Sequence, residues 1–312
     1  ARGAAPLRPI VNIGCGFTEL VLAPVHTWRS HGLVLRGLRH GGGAFFRHVL
    51  VETLSVAEGV LLLSQGVLDA LGAEAAAQAV AQGAMLAANP HLGLWVAARS
   101  AWLDRAVARA TEAQVVILGA GFDTRAARLA RSGRRFFEVD APASAAEKRR
   151  RLAALEGYPA DAATQVECDF EQDDFVERLA AAGFDRGAPA CVIWEGVSYY
   201  LPEAAVRATL RRVAEGLHPE SRVHFDFVGT RFVRGQTEAA EDAAMRGLVA
   251  DLGEPMVWGV NDPLPLLYDV GFRRVFVDGF DEIVLALTGT YERERAFRFQ
   301  YVAEASVAAE LR

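Results

Sequence analysis

The chain has 312 residues, of which 52% are hydrophobic and 23% are charged, as expected for a globular protein with one large or two modest domains. No apolar run reaches the roughly 18 residues of a membrane span, and no basic segment followed by an apolar one predicts a secretion signal. The net charge of −6 and the pI of about 5.7 argue against a general nucleic-acid-binding protein, so we expect a cytoplasmic protein without nucleic-acid or membrane partners.

The cysteine and lysine content limits the kinds of cross-link, metal site and cationic group that the chain can form. Cys15, Cys168 and Cys191 are far apart, and the last two fall in strand-like runs. This spacing indicates buried thiols in a reducing compartment rather than disulfide bonds or a zinc site, so we expect no metal. Lys148 is the only lysine, and arginine carries the rest of the positive charge.

Residues 1–110 are predicted to form a mainly helical region that caps or shapes a substrate site. An alanine-rich helix is predicted over 68–88, and apolar residues recur with helical spacing over 91–110. The first 50 residues are rich in arginine and histidine and contain one acid, Glu19. We expect this basic segment to form part of an acceptor pocket or a lid.

Residues 111–312 alternate short apolar strands with helices, which predicts a seven-stranded, doubly wound, Rossmann-like α/β sheet. Near-continuous apolar strands indicate a parallel sheet covered by helices on both faces. The strands are predicted at 114–118, 135–139, 164–168, 190–194, 222–228, 273–277 and 298–305. The helices between them are predicted near 123–132, 143–156, 172–182, 203–216, 237–251 and 263–270.

Two stretches have the form of a strand that runs into a glycine turn. One is QVVILGAGFDT at 114–124, with Gly119, Ala120 and Gly121, and the other is VNIGCGFTEL at 11–20. In a doubly wound sheet the ligand lies beyond the carboxyl ends of the strands, usually at the loop after the first strand. No strand that ends in an acid follows 11–20 at the required distance, so 114–124 is the predicted cofactor loop.

The cofactor loop is compatible with two kinds of ligand. A nicotinamide dinucleotide prefers G-x-G-x-x-G, but Thr124 replaces the third glycine and Asp123 places a negative charge where the pyrophosphate would approach. S-adenosylmethionine has no phosphate and carries a cationic sulfonium and ammonium. We therefore favour S-adenosylmethionine, and an NAD(P)-dependent oxidoreductase is the alternative.

Acids at the ends of the next strands support an adenosine ligand. Asp140 follows Gly121 by 19 residues, and an acid at this distance can accept hydrogen bonds from ribose hydroxyls. At the end of the third strand, Asp169 can accept from the adenine amino group while the backbone of Phe170 reads the ring edge. Glu195 ends the fourth strand, where it can pair with an ammonium group.

Four runs of sequence resemble one known family. VVILGAGFDTRAARL, FFEVDAPASAAEKRRRL, ECDF and VIWEGVSYYLPEAAV follow one another within about residues 91–228. In order and spacing they resemble the leucine carboxyl methyltransferase family of class I S-adenosylmethionine-dependent methyltransferases. That family includes the enzyme that methylates the C-terminal leucine of protein phosphatase 2A, and bacterial O-methyltransferases of aromatic polyketide pathways such as the tetracenomycin enzyme.

The resemblance implies a role for each matched position. Arg99 would bind the methionine carboxylate, and a guanidinium suits this by bidentate pairing. Tyr200 would lie near the methyl acceptor, and Lys148 would have a structural role. The remaining implied contacts are the methionine part over Gly119, Gly121 and Asp123, the ribose on Asp140, the adenine on Asp169 and Phe170, and the amino group on Glu195.

The methyl acceptor is expected to be a small-molecule carboxylate or hydroxyl of natural-product biosynthesis. A carboxylate is ionised at neutral pH and needs no base, whereas a hydroxyl would benefit from one. His224 and Asp226 share one face of a strand and are the catalytic candidates beside Tyr200. His224 is also compatible with a core position, and a histidine of the N-terminal segment is the other candidate base. A protein or peptide carboxyl methyltransferase and a non-catalytic S-adenosylmethionine-binding protein are the alternatives. The alternative role for Arg99 is that of a surface residue that pairs with Asp104.

Overall fold

A computed structural model describes residues 90–308, except 131–132, 154–157, 171, 252–254 and 290–297. The helix predicted at 68–88, the glycine turn at 11–20 and the basic N-terminal segment therefore lie outside the described residues. Of the helices in the described part, none has the length and apolarity that crossing a membrane requires.

Seven strands in the described residues form one sheet, in the order β3-β2-β1-β4-β5-β7-β6. The strands are β1 Gln114–Leu118, β2 Arg135–Asp140, β3 Ala163–Glu167, β4 Ala190–Trp194, β5 Arg222–Val228, β6 Arg274–Gly279 and β7 Gln300–Ser306. The first five are parallel, whereas β7 runs antiparallel to both of its neighbours, β5 and β6. The strand order reverses between β1 and β4, because β2 and β3 are added on one side of β1 and β4 and β5 on the other.

The seven predicted strands are all present, and no end differs from its prediction by more than two residues. The expectation of a wholly parallel sheet is wrong for β7. An antiparallel strand that is covered on both faces is as apolar as a parallel one, so its direction leaves no mark on the local pattern. In β7, five of seven residues are buried.

Helices cover both faces of this sheet. They are α1 Pro90–Arg109, α2 Arg125–Leu129, α3 Pro142–Leu152, α4 Phe175–Ala181, α5 Glu203–Gly216, α6 Thr230–Val233, α7 Ala240–Asp251, α8 Leu264–Asp269 and α9 Phe280–Thr288, with a 3-10 turn at Ser198–Tyr200. The predictions missed α6 and α9. Helix α9 begins directly after the last residue of β6 with no side-chain cap, so the acids of its first turn, Asp281 and Glu282, are the only helix-start signal at that end.

The residues of β1 show how the sheet divides the core. All five are buried; Val115 and Ile117 pack with α1 and α9, while Val116 and Leu118 pack with α4, α5 and α8. This alternation follows from the two-residue repeat of a strand. Because β1 to β5 are parallel, the loops after them meet at one edge of the sheet, which we call the carboxyl edge.

Candidate functional site

The glycine loop after β1 is bonded to the end of β2. The backbone N–H of Gly119 donates to the carbonyl of Val139 at 2.8 Å, and that of Gly121 donates to Asp140 Oδ2 at 2.6 Å. Gly119 has φ 64°, and a Cβ there would lie 2.7 Å from a methyl carbon of Val197. Position 119 therefore requires glycine both for its backbone conformation and for the close approach of the β4 loop.

Asp140 lies where the 19-residue spacing predicted it, beside the loop. Its second oxygen, Oδ1, accepts from the N–H of Ala141 at 2.8 Å. Burial raises the pKa of Asp140 above its ordinary value, against these backbone donors, which lower it. The carboxylate thus links the glycine loop to the start of α3.

Arg99 lies in a buried ion-pair network. Its Nε pairs with Glu195 Oε1 at 2.7 Å, and its Nη1 pairs with Asp226 Oδ2 at 2.7 Å and donates to the Tyr199 hydroxyl at 3.2 Å. Only 2% of Arg99 is exposed, so the alternative of a surface pair with Asp104 is wrong. Helix α1 therefore delivers a cation to the ends of β4 and β5.

Arg125 is a site residue that the sequence analysis missed. It is fully buried, and its Nη1 pairs with Asp123 Oδ2 at 2.5 Å and with Glu195 Oε2 at 2.6 Å, while its Nε pairs with Asp104 Oδ1 at 2.8 Å. One signal was available, because a cation in the first turn of a helix opposes the helix dipole and needs another reason to be there.

Asp123 does not present an isolated charge to a ligand. Its side chain is buried, and both oxygens accept from Arg125, one from the backbone N–H at 2.6 Å and one from the guanidinium. Because Arg125 compensates this charge, Asp123 would repel a pyrophosphate less strongly than the sequence alone indicates.

Asp226 and His224 do share one face of β5, but neither is at a position to meet an acceptor. Asp226 is fully buried, and its Oδ1 accepts from the N–H of Gly196 at 2.7 Å while Oδ2 pairs with Arg99. Burial raises the pKa of Asp226, and Arg99 opposes this shift. Its assignment as catalytic is corrected to that of a buried partner that positions Arg99.

His224 lies one pleat deeper in the sheet, where it is 1% exposed and packs edge-on against Trp102 at 5.7 Å between ring centroids. Burial lowers the pKa of His224 to about 3. A general base needs contact with its substrate and a pKa nearer neutrality. The candidate base of the sequence analysis is therefore a core histidine.

The two tyrosines of the 3-10 turn differ in their surroundings. Tyr199 is buried and bonded to Arg99, with its carbonyl accepting from the N–H of Val257 at 2.8 Å. Tyr200 is partly exposed, with its ring 4.7 Å from that of Tyr199. Tyr200 is thus the catalytic candidate that lies at the carboxyl edge and has exposed surface.

Asp169 and Phe170 follow β3 and lie next to the end of β2, because the N–H of Cys168 donates to the carbonyl of Asp140 at 2.8 Å. Phe170 is 37% exposed, which is unusual for a large apolar side chain and offers a surface for a planar ring. The side chain of Asp169 accepts from Gln172 at 2.8 Å. Their position fits the predicted adenine contact, which stays a prediction.

Lys148 lies beneath the glycine loop. Its Nζ pairs with Glu138 Oε2 and donates to the carbonyl of Asp123, both at 2.6 Å. Both partners of the pair are 2% exposed. Burial raises the pKa of Glu138, and Lys148 opposes the shift. In the described residues, no cluster of three or more histidine, cysteine, aspartate and glutamate side chains is arranged to hold a metal ion.

Comparisons with known proteins match this part of the chain. A family model described as leucine carboxyl methyltransferase covers residues 46–214. A relative from Mycobacteroides abscessus, named as a candidate S-adenosyl-L-methionine-dependent methyltransferase, is 35% identical over 183 residues, which are 57% of this chain and 56% of the relative. A protein of the same name from Streptomyces coelicolor is 36% identical over 161 residues, which are 50% and 55% of the two chains. The chain thus spans little more than half the length of these curated relatives.

The fold also has a solved counterpart. The crystal structure of a DUF574 family protein from Streptomyces avermitilis superposes with a TM-score of 0.53 and 16% sequence identity, over 74% of this chain and 90% of that chain. At this level of identity the similarity concerns the fold alone.

Proposed function

Since the chain belongs to the leucine carboxyl methyltransferase family, we propose that it is an S-adenosylmethionine-dependent methyltransferase. The observation that carries the proposal is the bond from the Gly121 N–H to the Asp140 carboxylate at 2.6 Å. In a dinucleotide site the glycine loop offers its N–H groups to a pyrophosphate. Here a carboxylate takes this donor, which favours a ligand with ribose hydroxyls and no phosphate.

The sheet supports the same choice. Dinucleotide-binding sheets typically have the strand order 3-2-1-4-5-6. In this chain the antiparallel β7 lies between β5 and β6, so the order departs from that pattern. An oxidoreductase built on the usual dinucleotide sheet is the less consistent alternative.

The residues at the carboxyl edge fit S-adenosylmethionine by charge and shape. Asp140 would hold the ribose, Asp169 and Phe170 the adenine, and Glu195 the ammonium, while Arg99 would attract the carboxylate. When bound, the cofactor supplies an electrophilic methyl group. The chain contributes alignment and exclusion of water, which can account for roughly 7–11 kcal/mol of a barrier.

The finer proposal is O-methylation of a small-molecule carboxylate. A carboxylate is ionised at neutral pH and needs no general base. Of the two kinds of base that the sequence offers a hydroxyl acceptor, His224 is buried with its pKa depressed, and the N-terminal histidines lie outside the described residues. Tyr200, partly exposed at the carboxyl edge, can donate its hydroxyl hydrogen to an acceptor and orient it.

Two measurements test these proposals. Isothermal titration calorimetry should show binding of S-adenosylhomocysteine and not of NAD or NADP; the opposite result would contradict the proposed cofactor. Transfer of labelled methyl from S-adenosylmethionine should then be measured with a panel of small carboxylic acids, phenols and peptides with a C-terminal leucine. Labelling of acids would support the finer proposal, whereas labelling of phenols or peptides alone would overturn it.

A further inference from the structure

We propose that Arg125 is a positioning residue that fixes the Glu195 carboxylate for the ammonium of the bound cofactor. The proposal rests on the proposed function and extends it to a residue that lies behind the binding surface. The guanidinium of Arg125 is fully buried and contacts three segments of the chain. It pairs with Asp104 of helix α1, with Asp123 of the glycine loop and with Glu195 at the end of β4.

Glu195 is held at both of its oxygens. Arg99 pairs with Oε1 at 2.7 Å and Arg125 pairs with Oε2 at 2.6 Å. The two guanidiniums therefore restrain the carboxylate from opposite oxygens, Arg99 through a hydrogen bond and Arg125 through an ion pair. Without Arg125, the Oε2 side of the carboxylate would lose this restraint.

The charges of this group favour a cationic ligand. Two guanidiniums face three carboxylates among the described residues of the group: Arg99 and Arg125 against Asp123, Glu195 and Asp226. Asp104 is compensated separately by Arg128 at 2.6 Å. This surplus of carboxylates favours a cationic group, such as an ammonium, beside Glu195, since a buried charge is stabilised by an opposite charge.

The helix that carries Arg125 also provides a matched control. Arg128 lies one turn further along α2, is 18% exposed and pairs with Asp104 and the Thr124 hydroxyl. Substitution to lysine keeps the charge at either position. A lysine ammonium is a point charge on a flexible stem and cannot reproduce the fixed fork that bridges separate carboxylates.

The test compares two ligands in the full-length chain. S-adenosylhomocysteine carries the amino-acid group, whereas 5′-methylthioadenosine has the same adenosine without it. Calorimetry should be run with the unaltered protein and with Arg125→Lys, Arg125→Gln, Arg128→Lys and Arg128→Gln. Circular dichroism of each variant measures the retained secondary structure.

We expect both Arg125 variants to bind S-adenosylhomocysteine about 10-fold or more weakly, the loss that follows when a charge-assisted contact is misplaced. Their affinity for 5′-methylthioadenosine should stay within about twofold, and the Arg128 variants should bind both ligands within about twofold of the unaltered protein.

Two results would overturn the proposal. Equal weakening of both ligands in the Arg125 variants would mean that Arg125 only stabilises the fold, and unchanged binding of both would mean that it does not position Glu195. The same selective loss in the Arg128 variants would show a general effect of charge on α2. If the unaltered protein bound no S-adenosylhomocysteine, the proposed function itself would fail, and this proposal with it.

Discussion

Lys148→Met removes the single ammonium beneath the glycine loop and leaves a carboxylate buried beside it. Lys148 Nζ lies 2.6 Å from Glu138 Oε2, and each side chain is 2% exposed. Burial already raises the pKa of Glu138, and Lys148 is the largest influence that lowers it. Without the lysine, the ionised form of Glu138 becomes more costly in the folded protein.

The magnitude follows from what remains after the substitution. Breaking a buried pair by removing one partner typically costs about 3–5 kcal/mol of unfolding free energy. The double variant Lys148→Met/Glu138→Gln removes both charges and loses mainly the hydrogen bond to the carbonyl of Asp123, which costs about 1–3 kcal/mol. We therefore expect the double variant to be more stable than Lys148→Met by about 2 kcal/mol.

The penalty should also depend on pH. A carboxyl group whose pKa is raised by folding makes stability fall as pH rises from its ordinary pKa toward the raised one. Loss of Lys148 raises the pKa of Glu138 further, so the penalty of Lys148→Met should grow as pH rises above the ordinary pKa of a glutamate, about 4.3. The double variant has no carboxyl at position 138 and should not show this dependence.

Urea denaturation of the unaltered protein and the variants at pH values from about 4.3 upward measures both effects. The reasoning would be refuted if the double variant were no more stable than Lys148→Met, or if the penalty of Lys148→Met did not change with pH. Either result would mean that Glu138 does not depend on Lys148 for its charge balance.

Substitutions at Gly119, Asp140 and His224 test the steric demand of the glycine loop, the ribose contact and the core position of the histidine. Gly119→Ala should lower the melting temperature more than Gly133→Ala. Both glycines have positive φ, but an added Cβ at 119 would lie 2.7 Å from Val197, whereas none of the described atoms lies within 4 Å of one at 133. Equal losses of melting temperature would contradict the steric explanation. Asp140→Asn should weaken S-adenosylhomocysteine binding about 10-fold or more in calorimetry, since an amide has one acceptor oxygen where the carboxylate has two. An unchanged affinity would place the ribose elsewhere. His224→Leu should retain methyl transfer and should lose less stability in acid than the unaltered protein. The pKa of His224 is lowered from 6.5 to about 3, so the unaltered protein must lose stability as pH falls between these values. If urea denaturation showed the same acid dependence for both proteins, His224 would not be buried in its neutral form.

The sheet was predictable because its strands carry a local signal. All residues of β1 and β4 are buried, so each appears in the sequence as a continuous apolar run between turns. The direction of β7 was not predictable, since it depends on the path of the chain after α9. Helix α9 itself was missed because FDEIVLALT follows β6 without a break or a cap, and a short apolar run of this kind is compatible with either structure.

The contacts of the site likewise differ in whether a local sequence pattern predicts them. The contact between Gly121 and Asp140 was predictable, because consecutive parallel strands end side by side and the spacing of 19 residues fixes which side chains meet. The partners of Arg99 lie 96 and 127 residues away along the chain, and no local pattern relates them. In the sequence, nothing distinguishes Arg125 from a surface arginine by its long-range contacts, because its partners Asp104 and Glu195 lie on other segments of the chain.

A strand pattern places His224 and Asp226 on one face but does not give their depth, and the two-residue step between them separates a core histidine from a residue that binds Arg99. Burying Arg99 and Arg125 is possible only where several carboxylates converge. The cations of the site are therefore set by the assembled fold, and a change in any one carboxylate should alter the positions of the others.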